Sequence, residues 1–137
     1  VIVVDSSAVI AILEDEAEAA ALSARLALDP ERALSAASYV EMGTVLAGRR
    51  RSEPDKAQQF LDAFLEEAGI GLAPVDATQA RLALEARVRY GRGFSSVARL
   101  NFGDCFAYAL AKSLDAPLLY VGDDFTGTDI RSALEST

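Results

Sequence analysis

Hydrophobic positions along this chain fall into two textures: short unbroken apolar runs, and longer stretches where apolar residues recur every third or fourth place. The first texture marks strands buried on both faces, the second marks helices with one side against a core. Val1–Val4 is the clearest short run, β-branched throughout, and it predicts a strand stopping at Asp5. Ser6 and Ser7 are candidate caps for a helix over Ala8–Leu13. Acidic residues at Glu14–Glu18 open a second helix reaching about Leu28, where Asp29-Pro30 ends it. A weaker strand is expected over Ala33–Ala36. Ser38 to Gly48 reads as the next helix, with Ser38-x-x-Glu41 matching a capping box.

Ser52-Glu53-Pro54 then punctuates the chain and opens a helix to Glu67 or Ala68. Ile70–Val75 predicts a strand, and Asp76-x-x-Gln79 caps a helix ending near Tyr90. Gly91, Gly93, Ser95 and Ser96 mark a flexible loop. Asp104–Leu114 is apolar nearly all round, the signature of a central, buried helix. A last strand is expected over Leu118–Val121, running into Gly122-Asp123-Asp124-Phe125, with Thr128-Asp129-Ile130 as an added edge strand. Strands alternating with helices predict an α/β sandwich with a mostly parallel sheet. Without repeats or linkers, residues 1–137 are expected to form one domain.

Composition narrows the chemistry. The chain has no histidine and one cysteine, Cys105. Histidine-based catalysis, histidine-ligated metals, disulfide frameworks and cysteine-rich zinc sites are therefore excluded. The apolar start lacks a basic leader and is broken by Asp5, so it is not read as a secretory signal, and no segment is long enough to span a bilayer. The expected location is cytoplasmic. A net charge of −8 argues against passive coating of nucleic acid. The arginines are unevenly placed, however, in one run at Arg49, Arg50 and Arg51 and a second region at Arg81, Arg87, Arg89, Arg92 and Arg99. They are either solvated helix ends or local phosphate contacts.

Four carboxylates stand where apolar runs break or helices begin: Asp5, Glu41, Asp104 and Asp123. In open parallel sheets ligands bind beyond the carboxyl ends of the strands, and Asp5 and Asp123 each follow a predicted strand. Carboxylates gathered in a cleft without a basic partner need a cation to remain ionised. For an all-oxygen site that cation is Mg²⁺, with Mn²⁺ the alternative. Such a site suits phosphodiester hydrolysis, because the ion lowers the pKa of water and stabilises attacking and leaving oxygens. Each acid also has a plain structural role available: a turn for Asp5, a cap for Glu41, a helix start for Asp104, a turn pair for Asp123 and Asp124.

The flanking sequences resemble those of PIN-domain ribonucleases, specifically the VapC toxins of type II toxin–antitoxin modules. The carriers are Val-Ile-Val-Val-Asp5-Ser-Ser-Ala-Val, Ser38-Tyr-Val-Glu41, Leu100-Asn-Phe-Gly-Asp104-Cys-Phe-Ala-Tyr-Ala, and Leu118-Leu-Tyr-Val-Gly-Asp123-Asp124-Phe. The resemblance covers essentially the whole chain and implies a PIN-like three-layer α/β/α sandwich. It implies catalysis by Asp5, Glu41, Asp104 and Asp123, with Asp5, Asp104 and Asp123 on Mg²⁺ and Ser7 orienting Asp5. Many PIN domains carry a Thr-Asn-Asp motif where this chain has Gly-Asp-Asp-Phe. The fourth acid is thus Asp123 or Asp124, with Asp123 favoured as the first after the strand. The implied partners are an RNA substrate, a VapB-like antitoxin placing a basic side chain among the carboxylates, and a second copy in a homodimer and higher assembly. Apolar residues at Ile10–Leu13 and Val45–Leu46 are candidates for the antitoxin groove. The alternatives are a housekeeping RNA-processing PIN nuclease and a non-catalytic PIN-like binding module. Haloacid-dehalogenase and receiver-type phosphotransfer fit poorly, since Ser7 replaces the second aspartate of the former and no lysine follows a late strand for the latter.

Overall fold

The computed structural model describes residues 1–49, 53–95 and 97–134. Four strands, β1 (Ile2–Val4), β2 (Arg32–Ser35), β3 (Ile70–Ala73) and β4 (Leu118–Leu119), form one sheet in the order β3-β2-β1-β4. All three neighbouring pairs are parallel. Two helices link each successive pair of strands: α1 (Ser6–Leu13) and α2 (Ala19–Ala27), α3 (Ala36–Arg49) and α4 (Pro54–Glu67), α5 (Ala77–Tyr90) and α6 (Phe102–Leu114).

Alternation along the strands builds two cores, one on each face. Ile2 and Val4 join Leu22, Met42, Leu61 and Leu65 from α2, α3 and α4 on one side. Val3 joins Ala83, Tyr90, Cys105 and Leu110 from α5 and α6 on the other. Leu118 and Leu119 divide the same way between the two clusters. With each fully buried aliphatic side chain contributing about 1.5–3 kcal/mol, the three-residue β1 is held by packing on both faces. The result is the expected α/β/α layering. Because β2 and β4 flank β1 on opposite sides, the sheet reverses its winding direction beside β1, where parallel sheets open a crevice at their carboxyl edge.

Several local expectations are corrected. Asp5, not Ser6 or Ser7, caps α1, accepting from Ser7 N at 3.1 Å. The second helix starts at Ala19, because Asp15 adopts φ 51° and Glu14–Glu18 forms the turn between α1 and α2. Ser38 makes no capping box: α3 already begins at Ala36, and Ser38 Oγ is buried without a partner. The box lies instead at α6, where Asn101 Oδ1 accepts from Asp104 N and Asp104 Oδ2 from Asn101 N. Asp104 is therefore the third residue of that helix, not its first. Residues 128–130 form no strand; Ser132 makes an isolated parallel bridge to Leu118. Arg50, Arg51, Ser52 and Ser96 lie outside the described residues. No helix among the described residues is long and apolar enough to cross a membrane.

Candidate active site

The reversal point beside β1 holds a cleft lined by Asp5, Ser6, Ser7, Ile10, Glu41, Val45, Asn101, Asp104, Val121, Asp124 and Phe125, about 230 Å³ in volume. Each acid arrives there for a local reason. Asp5 follows β1 directly, and its N–H still donates to Leu119 O across the sheet. Its side chain then turns to cap α1: Ser7 N and Ser7 Oγ donate to Oδ2 at 3.1 and 2.6 Å. Ser7 Oγ also accepts from Val121 N at 3.1 Å. That bond ties the chain leaving β4 to the start of α1 and draws Val121 out of the strand expected for it.

Glu41 projects from α3 and accepts a 2.7 Å hydrogen bond from Ser6 Oγ. The two adjacent serines thus serve two different carboxylates. Ser7 had a visible motif position beside Asp5, but the role of Ser6 depends on α3 lying across from α1 and has no signal in the local sequence. Asp104 sits in the first turn of α6, where the helix dipole favours a negative charge, and its Oδ2 is occupied by the capping box.

The structure brings Asp5, Glu41, Asp104 and Asp124 to the cleft but not Asp123, which is exposed. Gly122, at φ 93°, turns the chain out of β4. Phe125 is buried and packs on Tyr120 with ring centroids 4.9 Å apart, which holds the adjacent Asp124 inward. Farther along, Tyr108 Oη and Lys112 Nζ from α6 donate to Asp129 at 2.5 and 2.9 Å, latching this loop onto the helix. The Thr128-Asp129-Ile130 segment is thus a loop anchor. Of the expected groove residues, Ile10 and Val45 line the cleft, while Leu46 is core.

Electrostatics set this cleft apart. Asp5 and Asp104 are 2% and 6% exposed, and among the described residues no cation is paired with either. Burial pushes Asp5 up to about 6, against the pull of its Ser7 hydrogen bonds and with help from nearby Glu41. Burial also pushes Asp104 up to about 8, and the charges of Asp5 and Asp124 add to the rise. Asp124 lines the same cleft as Asp104. Asp5 Oδ1 is buried without a partner. The described arginines are engaged elsewhere or exposed: Arg49 pairs with Glu14, while Arg87 and Arg89 lie over the rings of Phe94 and Tyr90 at 5.3 and 5.1 Å.

This donor set fits a divalent cation. It is all oxygen, it leaves a buried acceptor unpartnered, and its members resist ionising together. Among the described residues no three acids or thiols enclose a ready metal cage. The fit is therefore to a hydrated ion held by one or two carboxylates, the habit of Mg²⁺.

Comparison with known proteins assigns the family. The PIN domain family model matches residues 2–130. Ribonuclease VapC28 of Mycobacterium tuberculosis is 48% identical over 133 residues, covering 97% of this chain and 98% of the relative. Ribonuclease VapC42 of the same organism is 44% identical over 131 residues, covering 96% and 98%. The crystal structure of Mycobacterium tuberculosis VapC20, a sarcin–ricin loop cleaving toxin, superposes with a TM-score of 0.71 at 20% identity, covering 95% of this chain and 96% of that one. VapBC2 from Rickettsia felis, bound to a promoter DNA fragment, gives 0.71 at 16% identity, covering 96% and 95%. PIN-domain ribonucleases are generally metal-dependent enzymes. With a family match over nearly its full length and such close relatives, the chain belongs to the PIN-domain family, within its VapC ribonuclease branch.

Proposed function

We propose that this chain is a Mg²⁺-dependent endoribonuclease, the toxic member of a type II toxin–antitoxin pair acting in the cytoplasm, with Asp5, Glu41, Asp104 and Asp124 as its acidic site. The observation carrying this reading is the convergence of buried Asp5 and Asp104 with half-buried Glu41 and Asp124 at the sheet's reversal point, with Asp5 Oδ1 left unpartnered. When bound, a divalent cation neutralises these acids, polarises the scissile phosphodiester and makes water a competent nucleophile. The chain's own residues do the positioning. Ser7 fixes Asp5 through Oδ2 and leaves the buried Oδ1 as the oxygen that would hold the cation. The capping box fixes the Asp104 carboxylate by occupying its Oδ2. Ser6 holds Glu41 across from them, and Asp124 completes the cluster beside Asp104.

The names of the close relatives support ribonuclease activity. The cleft's chemistry also supports an antitoxin partner. A basic side chain from that partner, entering between Ile10 and Val45, would neutralise the same carboxylates and compete with the cation. A homodimer is proposed as the working assembly. The fourth acid is the part of the site most open to a direct test. Mg²⁺-dependent RNA cleavage by purified protein should fall at least about 100-fold in Asp124→Asn and stay near wild type in Asp123→Asn. The reverse ranking would move the fourth carboxylate back to Asp123.

A further inference from the structure

Glycine is a poor residue for the first turn of a helix, because it surrenders more backbone freedom than alanine and contributes no packing. Gly103 nevertheless occupies the second position of α6, between Phe102 and Asp104. Its φ lies outside the left-handed range, so the backbone does not require glycine there. The requirement comes from across the cleft. A β-carbon at Gly103 would overlap Glu41 Oε2 and stand 2.5 Å from its Cδ and 2.8 Å from Oε1, where real β-carbon contacts do not fall below 3.0 Å. The three nearest heavy atoms all belong to that one flexible side chain.

We infer that Gly103 is a positioning residue: its bare α-carbon leaves the space that lets the Glu41 carboxylate reach over the first turn of α6 and join the acidic cleft. An alanine at this position fits the helix, so the side chain that yields is Glu41. Its displacement breaks the 2.7 Å hydrogen bond from Ser6 Oγ and leaves the cleft one carboxylate short. The functional half of this inference rests on the divalent-cation reading given above, while the geometric half does not. Gly48, on the same helix as Glu41, is the natural control, since nothing lies within 4 Å of a β-carbon placed there.

The test is a Mg²⁺ titration by calorimetry of the full chain as wild type, Gly103→Ala, Glu41→Ala, the double variant and Gly48→Ala. Gly103→Ala should bind Mg²⁺ about tenfold more weakly, the usual scale for losing a supporting contact in a metal site. The double variant should bind no more weakly than Glu41→Ala alone, because nothing is left to displace. Gly48→Ala should match wild type. Unchanged affinity in Gly103→Ala, or an equal further loss in the Glu41→Ala background, overturns the inference. A crystal structure of metal-free Gly103→Ala separates it from the cation reading. A Glu41 carboxyl out of reach of Ser6 Oγ supports the inference, and one still hydrogen-bonded there overturns it. If wild type binds no Mg²⁺, the cation reading fails and that crystal structure alone decides. Should Gly103→Ala not fold, folding of the double variant supports a clash with Glu41, and failure of both overturns it.

Discussion

Removing the charge of Asp5 while keeping its shape should stabilise the metal-free protein at alkaline pH. Asp5 is buried, with Oδ2 satisfied by Ser7 and Oδ1 unpartnered. Its pKa rises from 3.8 to about 6, chiefly through burial, so the folded protein holds this proton more tightly than the unfolded chain. Below about pH 4 both states are protonated and the carboxyl imposes no penalty. Between pH 4 and 6 stability falls as pH rises, and above pH 6 the full penalty is present, about 3 kcal/mol at 1.36 kcal/mol per pH unit. Asparagine escapes that penalty, but its amide N–H group replaces Oδ1 and costs about 1 kcal/mol of desolvation. The net gain for Asp5→Asn at pH 8 is thus about 2 kcal/mol, or roughly 6 °C in Tm. The assay is urea unfolding in EDTA at a series of pH values from 4 to 8, with wild type and variant side by side. A stability difference that stays constant across that range, or a less stable variant at pH 8, would refute the reasoning. Saturating Mg²⁺ should reverse the ranking, because only wild type gains binding energy from the ion.

Three further outcomes follow from the same contacts. Asn101→Ala removes the cap of α6 and should lower stability by about 1–2 kcal/mol, read by denaturant unfolding, because the Asp104 N–H loses its side-chain acceptor. Ser7→Ala strips one hydrogen bond from Asp5 and one acceptor from Val121 N; Mg²⁺ affinity should drop about tenfold in a calorimetric titration. Mg²⁺ affinity of the wild type should climb between about pH 6 and 8, where cation binding must displace protons held by Asp5 and Asp104. Calorimetry in buffers of different ionisation enthalpy counts those protons directly.

The sequence pattern made the layered architecture legible because β1 and β4 are short apolar blocks and the helices between strands are longer stretches. Ile2–Val4 and Leu118–Leu119 needed no tertiary information. What escaped were features decided by contacts between distant segments. Ser38-x-x-Glu41 has the letters of a capping box, yet β2 runs straight into α3 and carries both residues inside the helix. Asn101-x-x-Asp104 has a weaker capping signature, but forms the real box. Ser6 serves Glu41, 35 positions away, and no local spacing encodes that. Asp123 was favoured over Asp124 from order along the chain, whereas the turn at Gly122 and the buried ring of Phe125 decide which of them faces the cleft. Gly103 lay inside the quoted motif around Asp104 but drew no role from it, since its role is defined by the carboxylate it leaves room for.

Cleavage of a mixed pool of folded RNAs by the purified chain, in Mg²⁺ and in EDTA, with Asp104→Asn alongside, tests the acidic cleft most directly. Asp104 is buried in the cleft, and the charges of both Asp5 and Asp124 raise its pKa. Wild type should produce discrete cuts in Mg²⁺ and none in EDTA, and Asp104→Asn should lose at least about 1,000-fold in rate. Equal cleavage by wild type and Asp104→Asn, or cleavage that persists in EDTA, would contradict a metal-assisted ribonuclease built on these carboxylates.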